Sequence, residues 1–95
     1  MILSNEPGVY IENSHGIRLE NELLVHKGIC NEYGQFMYFE TLTYVPFDLD
    51  AIDENMLTSQ EKEQLNYYHQ KVYELVAPHL DLNEKEWLKN NTRAL

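Results

Sequence analysis

Ser4-Asn5-Glu6-Pro7-Gly8-Val9-Tyr10 and Gly16-Ile17-Arg18-Leu19-Glu20-Asn21 are the two segments from which the rest of this chain is read. Residues 2–6 form a short run that begins apolar, and Pro7 biases Glu6 away from helix toward an extended backbone. Gly8 then permits a turn. From Ile17 the side chains alternate, with Ile17, Leu19 and Leu23 on one face of a strand and Arg18, Glu20 and Glu22 on the other. Pairing of the two strands would aim Glu6 and Glu20 into one site with Arg18 beside them. Hard divalent metals take carboxylate oxygens, and a sheet holds such ligands more accurately than a loop does. On spacing alone, however, two acidic residues facing water are the commoner arrangement, and the pair names no chemistry by itself.

The residue string adds a resemblance. Glu6-Pro7-Gly8-Val9-Tyr10 followed by Gly16-Ile17-Arg18-Leu19-Glu20-Asn21 resembles the end of the catalytic domain of Xaa-Pro aminopeptidases (aminopeptidase P), members of the pita-bread metallopeptidases. It continues through Phe39-Glu40-Thr41-Leu42-Thr43-Tyr44-Val45-Pro46, Asn66-Tyr67-Tyr68-His69 and Glu86-Trp87-Leu88, and so spans nearly the whole chain. The later part is similar to the C-terminal extension of the longer enzymes, including the eukaryotic cytosolic form. The resemblance implies residues 1–46 as the end of a catalytic domain and residues 47–95 as a helical extension that makes subunit contacts.

In that family two Asp, one His and two Glu hold two divalent ions, manganese as a rule. Glu6 and Glu20 occupy the contexts of the two Glu. The resemblance implies that Glu6 binds one metal and serves as acid and base, and that Glu20 bridges both. Tyr10 and Arg18 stand where the family keeps hydrogen-bonding groups around the ligands. The implied substrate is a peptide with proline in second position. The chain departs from the family in lacking the paired Asp ligands and the His-x-x-Gly-His-Gly signature before Glu6. The expectation is therefore a C-terminal piece that holds no metal stably and catalyses nothing alone. Met1 is open between a true start, an internal residue and an artificial start. A non-catalytic dimerisation or docking module and the remnant of a truncated gene stand as alternatives.

Composition bounds the rest. Ninety-five residues make one domain at most, and 43% apolar with 12% aromatic content is globular rather than disordered. Seven basic against sixteen acidic residues leave a net charge of −9, which argues against nucleic acid and anionic membrane as partners. Cys30 is the one cysteine, so neither a disulfide framework nor a CxxC zinc site is available. With no signal-like start and no long apolar run, the reading is cytoplasmic.

The expected fold is α+β: an antiparallel sheet over residues 1–45, then helices near 58–77 and 84–90. Residues 27–34 carry hairpin-turn signals. Residues 35–45 read as a strand apolar on both faces, covered on both sides, and favouring homo-oligomers. His15 and His26 read as solvent-facing. Asp48, Asp50 and Asp53 lack EF-hand spacing and read as a solvated loop. Thr58 and Glu61 fit a capping box, and Leu65, Tyr68, Val72, Leu75 and Val76 recur as a helical stripe. A second cap is read at residues 83–86.

Overall fold

Five strands arise from the first half of the chain: Ile2–Asn5 (β1), Gly8–Tyr10 (β2), Gly16–Arg18 (β3), Asn21–Asn31 (β4) and Gly34–Thr41 (β5). The computed structural model describes residues 1–95 and divides into two compact units, residues 1–43 and 44–95. In the first unit β1, β4 and β5 form an antiparallel sheet in the order β1-β4-β5, while β2 pairs with β3. The partners run Ile2↔Leu24 to Asn5↔Asn21 and then Gly8↔Arg18 to Tyr10↔Gly16, so the register is unchanged across the gap. The two ladders are one long hairpin interrupted at residues 6–7 and 19–20. Pro7 explains the interruption, because it has no N–H to donate. Leu19 N–H still donates to the Pro7 carbonyl at 3.0 Å, which holds the register through the gap.

At the hairpin's end Ser14 N–H donates to the Ile11 carbonyl at 3.1 Å, and Asn13 takes a positive φ of 57°. Asparagine is among the few non-glycine residues that tolerate this region. The β4–β5 connection is shorter than the sequence suggests: β4 continues to Asn31 and only Glu32 and Tyr33 form the loop. Asn31 Oδ1 accepts from Tyr33 N–H at 2.9 Å, a local side-chain bond that closes the turn, and Gly34 supplies a φ of +125°. The glycine-rich signals of residues 27–34 instead include a bulge, where Gly28 and Ile29 stand opposite Phe36 alone. Gln35 Nε2 braces it by donating to the carbonyls of Gly28 and Phe36 at 3.0 and 2.7 Å.

Strand β5 ends early, at Thr41 rather than Val45. The reason lies in the second unit, where residues 44–47 lie along helix Ser59–Val76 (α1) instead of a neighbouring strand. Tyr68 Oη donates to the Val45 carbonyl at 2.7 Å and accepts from Val45 N–H at 3.2 Å. Phe47 N–H donates to His69 Nε2 at 3.0 Å, and the Phe47 and Tyr68 rings stack at 5.0 Å. Pro46, between them, has no donor to satisfy. Within this chain Phe36, Met37, Tyr38 and Phe39 of β5 are each more than half exposed.

Helix α1 starts at the Thr58–Glu61 capping box read from the sequence. Helix Leu82–Asn91 (α2) is capped two residues earlier than expected, with Asp81 and Glu84 forming the box. The Glu84 backbone N–H bonded to Asp81 holds that carboxyl below the ordinary carboxylate range. Val72, Ala77 and Leu88 form the core, packed by Tyr44, Tyr68, Tyr73, Val76 and Leu80. Leu75, expected in the stripe, is half exposed, whereas His69 is wholly buried. The acidic crossover is used locally: Asp48 and Asp53 cap short 3₁₀ turns, and Asp50 meets Arg93 at 3.2 Å.

Burial lowers the pKa of His69 below its ordinary 6.5, because the charged ring would be desolvated. The folded state thus binds fewer protons than the unfolded one below that value, so stability should be full above pH 6.5 and fall as the pH drops below it. Urea unfolding followed from pH 7.5 to 5 should show a falling midpoint, and His69→Gln, which keeps an acceptor for Phe47 N–H, should lose part of that slope. An unchanged slope would refute the assignment. Thr58→Ala should cost about 1 kcal/mol in the same assay, by loss of the N-cap.

Candidate active site

The interrupted hairpin is where the sequence-derived residues meet. The bonds Val25 N–H to Met1 O, Leu19 N–H to Pro7 O and Ile11 N–H to His15 O, at 2.9, 3.0 and 2.7 Å, fix the odd-numbered positions as hydrogen-bonded pairs. The even-numbered positions are therefore non-hydrogen-bonded pairs, in which opposed side chains approach most closely. Glu6 stands opposite Glu20 in such a pair, bracketed by Asn5↔Asn21 on one side and the Pro7–Leu19 bond on the other. Cβ atoms in pairs of this kind lie about 4.5–5.5 Å apart.

Alternation places Glu6, Gly8 and Tyr10 on one face of one strand and Gly16, Arg18 and Glu20 on the same face of the other. The opposite face carries Leu3, Val9, Ile17, Leu19 and Leu23. Glu6, Tyr10, Arg18 and Glu20 thus share one polar surface. The Arg18 guanidinium lies 3.1 Å from the Glu20 carboxylate, with both side chains substantially exposed. A pair so open to water contributes at most about 1 kcal/mol. Its larger effect is on position, since it holds Glu20 along the strand and offsets the repulsion between opposed carboxylates.

Tyr10 is placed by two glycines that the sequence presents only as turn formers. A Cβ built on Gly16 would lie 2.8 Å from the Tyr10 ring, and one on Gly8 would lie 2.8 Å from its phenolic oxygen and 3.0 Å from the Ile17 carbonyl. The ring therefore crosses the hairpin in the space that two side chains would otherwise fill. His15 is an exposed turn residue hydrogen-bonded to Ser14 at 2.8 Å, as expected of it. His26 differs from expectation: its Nε2 meets Glu40 at 2.6 Å and its ring stacks on Tyr38 at 5.1 Å.

Carboxylate oxygens suit a hard divalent ion. Two of them would make no more than part of a ligand shell. No group of three or more His, Cys, Asp or Glu in the chain is placed to hold a metal ion. An apolar groove in the second unit, lined by Tyr44, Val45, Val76, Trp87 and Leu88, offers no comparable donor set.

Comparison with known proteins supplies the family. The family model for the C-terminal region of peptidase M24 matches residues 35–95. The chain belongs to the peptidase M24 family. Among its M24 relatives, Aminopeptidase P2 of Arabidopsis thaliana is 42% identical across 100% of this chain, which spans 14% of that protein. Putative Xaa-Pro aminopeptidase FRA1 of Saccharomyces cerevisiae is 38% identical across 99% of the chain, here 13% of the relative. The crystal structure of X-prolyl aminopeptidase from Caenorhabditis elegans, a cytosolic enzyme with a di-nuclear active site, matches with a TM-score of 0.85 and 30% identity over 99% of this chain and 16% of its own. The M24 chain described here thus spans about one-seventh of the first of these relatives. No helix in it is long and apolar enough to cross a membrane.

The seating of Tyr10 is directly testable. Gly16→Ala should displace the ring from the hairpin, seen as loss of nuclear Overhauser contacts between Tyr10 and residue 16, at a stability cost of about 1 kcal/mol. Retention of those contacts would show that the glycine does not define the ring's position.

Proposed function

We propose that this chain supplies the last two metal-binding glutamates of an Xaa-Pro aminopeptidase, with residues 1–46 closing the catalytic domain and residues 47–95 forming a helical extension. The observation that carries the proposal is the non-hydrogen-bonded pairing of Glu6 with Glu20 on the face shared by Tyr10 and Arg18. Relatives named for aminopeptidase P or Xaa-Pro aminopeptidase activity align over essentially the whole chain. The substrate is then a peptide with proline at its second position, and the bond cleaved is the one before that proline.

Glu6 and Glu20 would hold two divalent ions, manganese by family resemblance, together with ligands this chain does not contain. When bound, such ions polarise the scissile carbonyl and bring a water close to neutral acidity. Glu20 would help to hold both ions. Glu6 would help to hold one of them, and its carboxylate oxygen would take the proton and return it to the departing amine. Arg18 neutralises charge beside Glu20 and keeps its carboxylate oriented. The Tyr10 hydroxyl offers a donor on the same face.

The exposed Tyr67, Leu75 and Trp87 of the helical unit suit subunit contacts, and we assign a homo-oligomer on that basis and on resemblance; the cytosolic structural relative supports a cytoplasmic enzyme. The acidic balance of the chain supports neither nucleic acid nor membrane as partner.

In a complete enzyme carrying this chain, Glu6→Gln should lower kcat for an Xaa-Pro peptide by about 10²–10⁴-fold and weaken one ion more than the other. Glu20→Gln should weaken both ions together. The 95-residue chain alone should hydrolyse no such peptide. Metal analysis beside turnover decides the matter: normal turnover with two bound ions in either variant would refute the assigned roles.

A further inference from the structure

We propose that Asn21 and Thr43 are positioning residues that fix the Glu20 carboxylate opposite Glu6. The proposal rests on the reading of Glu20 as a metal ligand, which it extends by naming what holds that ligand in place.

Glu20 occupies an exposed position in the hairpin. As a member of a non-hydrogen-bonded pair, its backbone points away from β1, toward the side on which β5 runs. There β5 has already left the sheet: its last ladder partner is Thr41, opposite Leu23. Leu42 N–H still donates to the Glu22 carbonyl at 2.8 Å. The reciprocal bond is taken over by a side chain, since Glu22 N–H donates to Thr43 Oγ1 at 3.0 Å. The Asn21 amide then donates to both the Thr43 carbonyl and Thr43 Oγ1, at 3.0 and 3.2 Å. One threonine therefore receives three hydrogen bonds from the two residues that follow Glu20.

This cluster does what another rung of ladder would do. It joins β4 to the departing chain where main-chain pairing has ended, one residue from the carboxylate. On the other side of Glu20, the Leu19 bond to Pro7 gives the matching constraint. The carboxylate is thereby held between two fixed points along the strand, and Arg18 restrains the side chain itself. Asparagine and threonine suit the task because the amide is a two-proton donor and the hydroxyl accepts while sitting close to the backbone. Neither Asn21 nor Thr43 needs to touch a metal or a substrate for this role.

The test separates the hydroxyl from the bulk of the side chain. In the metal-free 95-residue chain, nuclear magnetic resonance would follow Glu22 amide exchange, the Glu6–Glu20 cross-strand Hα contact and the Glu20 side-chain shifts. Thr43→Val keeps the shape and removes the acceptor; Thr43→Ser keeps the acceptor and removes a methyl. Asn21→Asp keeps the size and removes the donors. Thr43→Val and Asn21→Asp should each speed Glu22 exchange about tenfold or more and shift the Glu20 side-chain signals, while Thr43→Ser stays close to wild type. Should Thr43→Val behave as wild type, or Thr43→Ser be as perturbed as Thr43→Val, the proposal is overturned. A separate arm measures bound metal in a complete enzyme carrying this chain: loss of ions in Glu20→Gln supports the metal reading, and unchanged metal content sinks that reading while the metal-free arm still decides the positioning role.

Discussion

One missing amide hydrogen, that of Pro7, shapes the first unit. A hairpin from residue 1 to residue 25 keeps constant register, yet its ladder lapses where Pro7 cannot donate. The lapse falls beside Glu6 and, across the strands, beside Glu20. Like charges directly opposed in a sheet are unfavourable, so the local structure tolerates them by flanking them with firm pairing and by bringing Arg18 to 3.1 Å from one of them. The proline keeps Glu6 extended, while the single Leu19–Pro7 bond keeps both strands in step. A residue inserted on either side would move one carboxylate to the opposite face.

The second unit solves a related problem by other means. Residues 44–47 are extended but have no strand to pair with, and a helix cannot offer free main-chain groups in its middle. Tyr68 and His69 provide side-chain partners instead, satisfying the backbone on either side of Pro46. The buried histidine follows from this use. Its Nε2 accepts from Phe47, while its Nδ1 is buried with no partner in the protein. An apolar residue in its place would fill the core but leave Phe47 N–H unanswered.

Much of this was legible in the residues. The alternation from Ile17 set the faces of the hairpin, Pro7 marked Glu6 as extended, and Thr58 with Glu61 fixed the start of α1, whereas Gly8, read as a turn, begins strand β2. What escaped depends on partners distant in sequence. Residues 35–45 alternate like one strand throughout, and nothing local shows that Tyr68 and His69 will capture the last part. Gly28 and Gly34 carry the same turn signal, though one serves a bulge and the other a loop. Asn21 and Thr43 look like ordinary polar strand residues until the departure of β5 brings them together. The placement of Glu6 and Glu20 was legible because each strand declares its own phase; the exact seat of Tyr10 required the cross-strand register that brings Gly8 and Gly16 beneath one ring.

The bulge at Gly28 and Ile29 has a consequence for the chain's one thiol. Two residues of β4 occupy the space of one, so the side-chain phase reverses beyond them and Cys30 pairs with Gln35. By number alone Cys30 would share the face of Glu20 and His26; the reversal turns it to the apolar side. The thiol is exposed, and it lies about 30 Å along the strand from Glu20 at the usual rise per residue. A soft sulfur ligand is thus kept from the hard carboxylate pair by both distance and orientation. A fluorophore attached to Cys30 would report on the apolar side of the sheet without approaching the carboxylates.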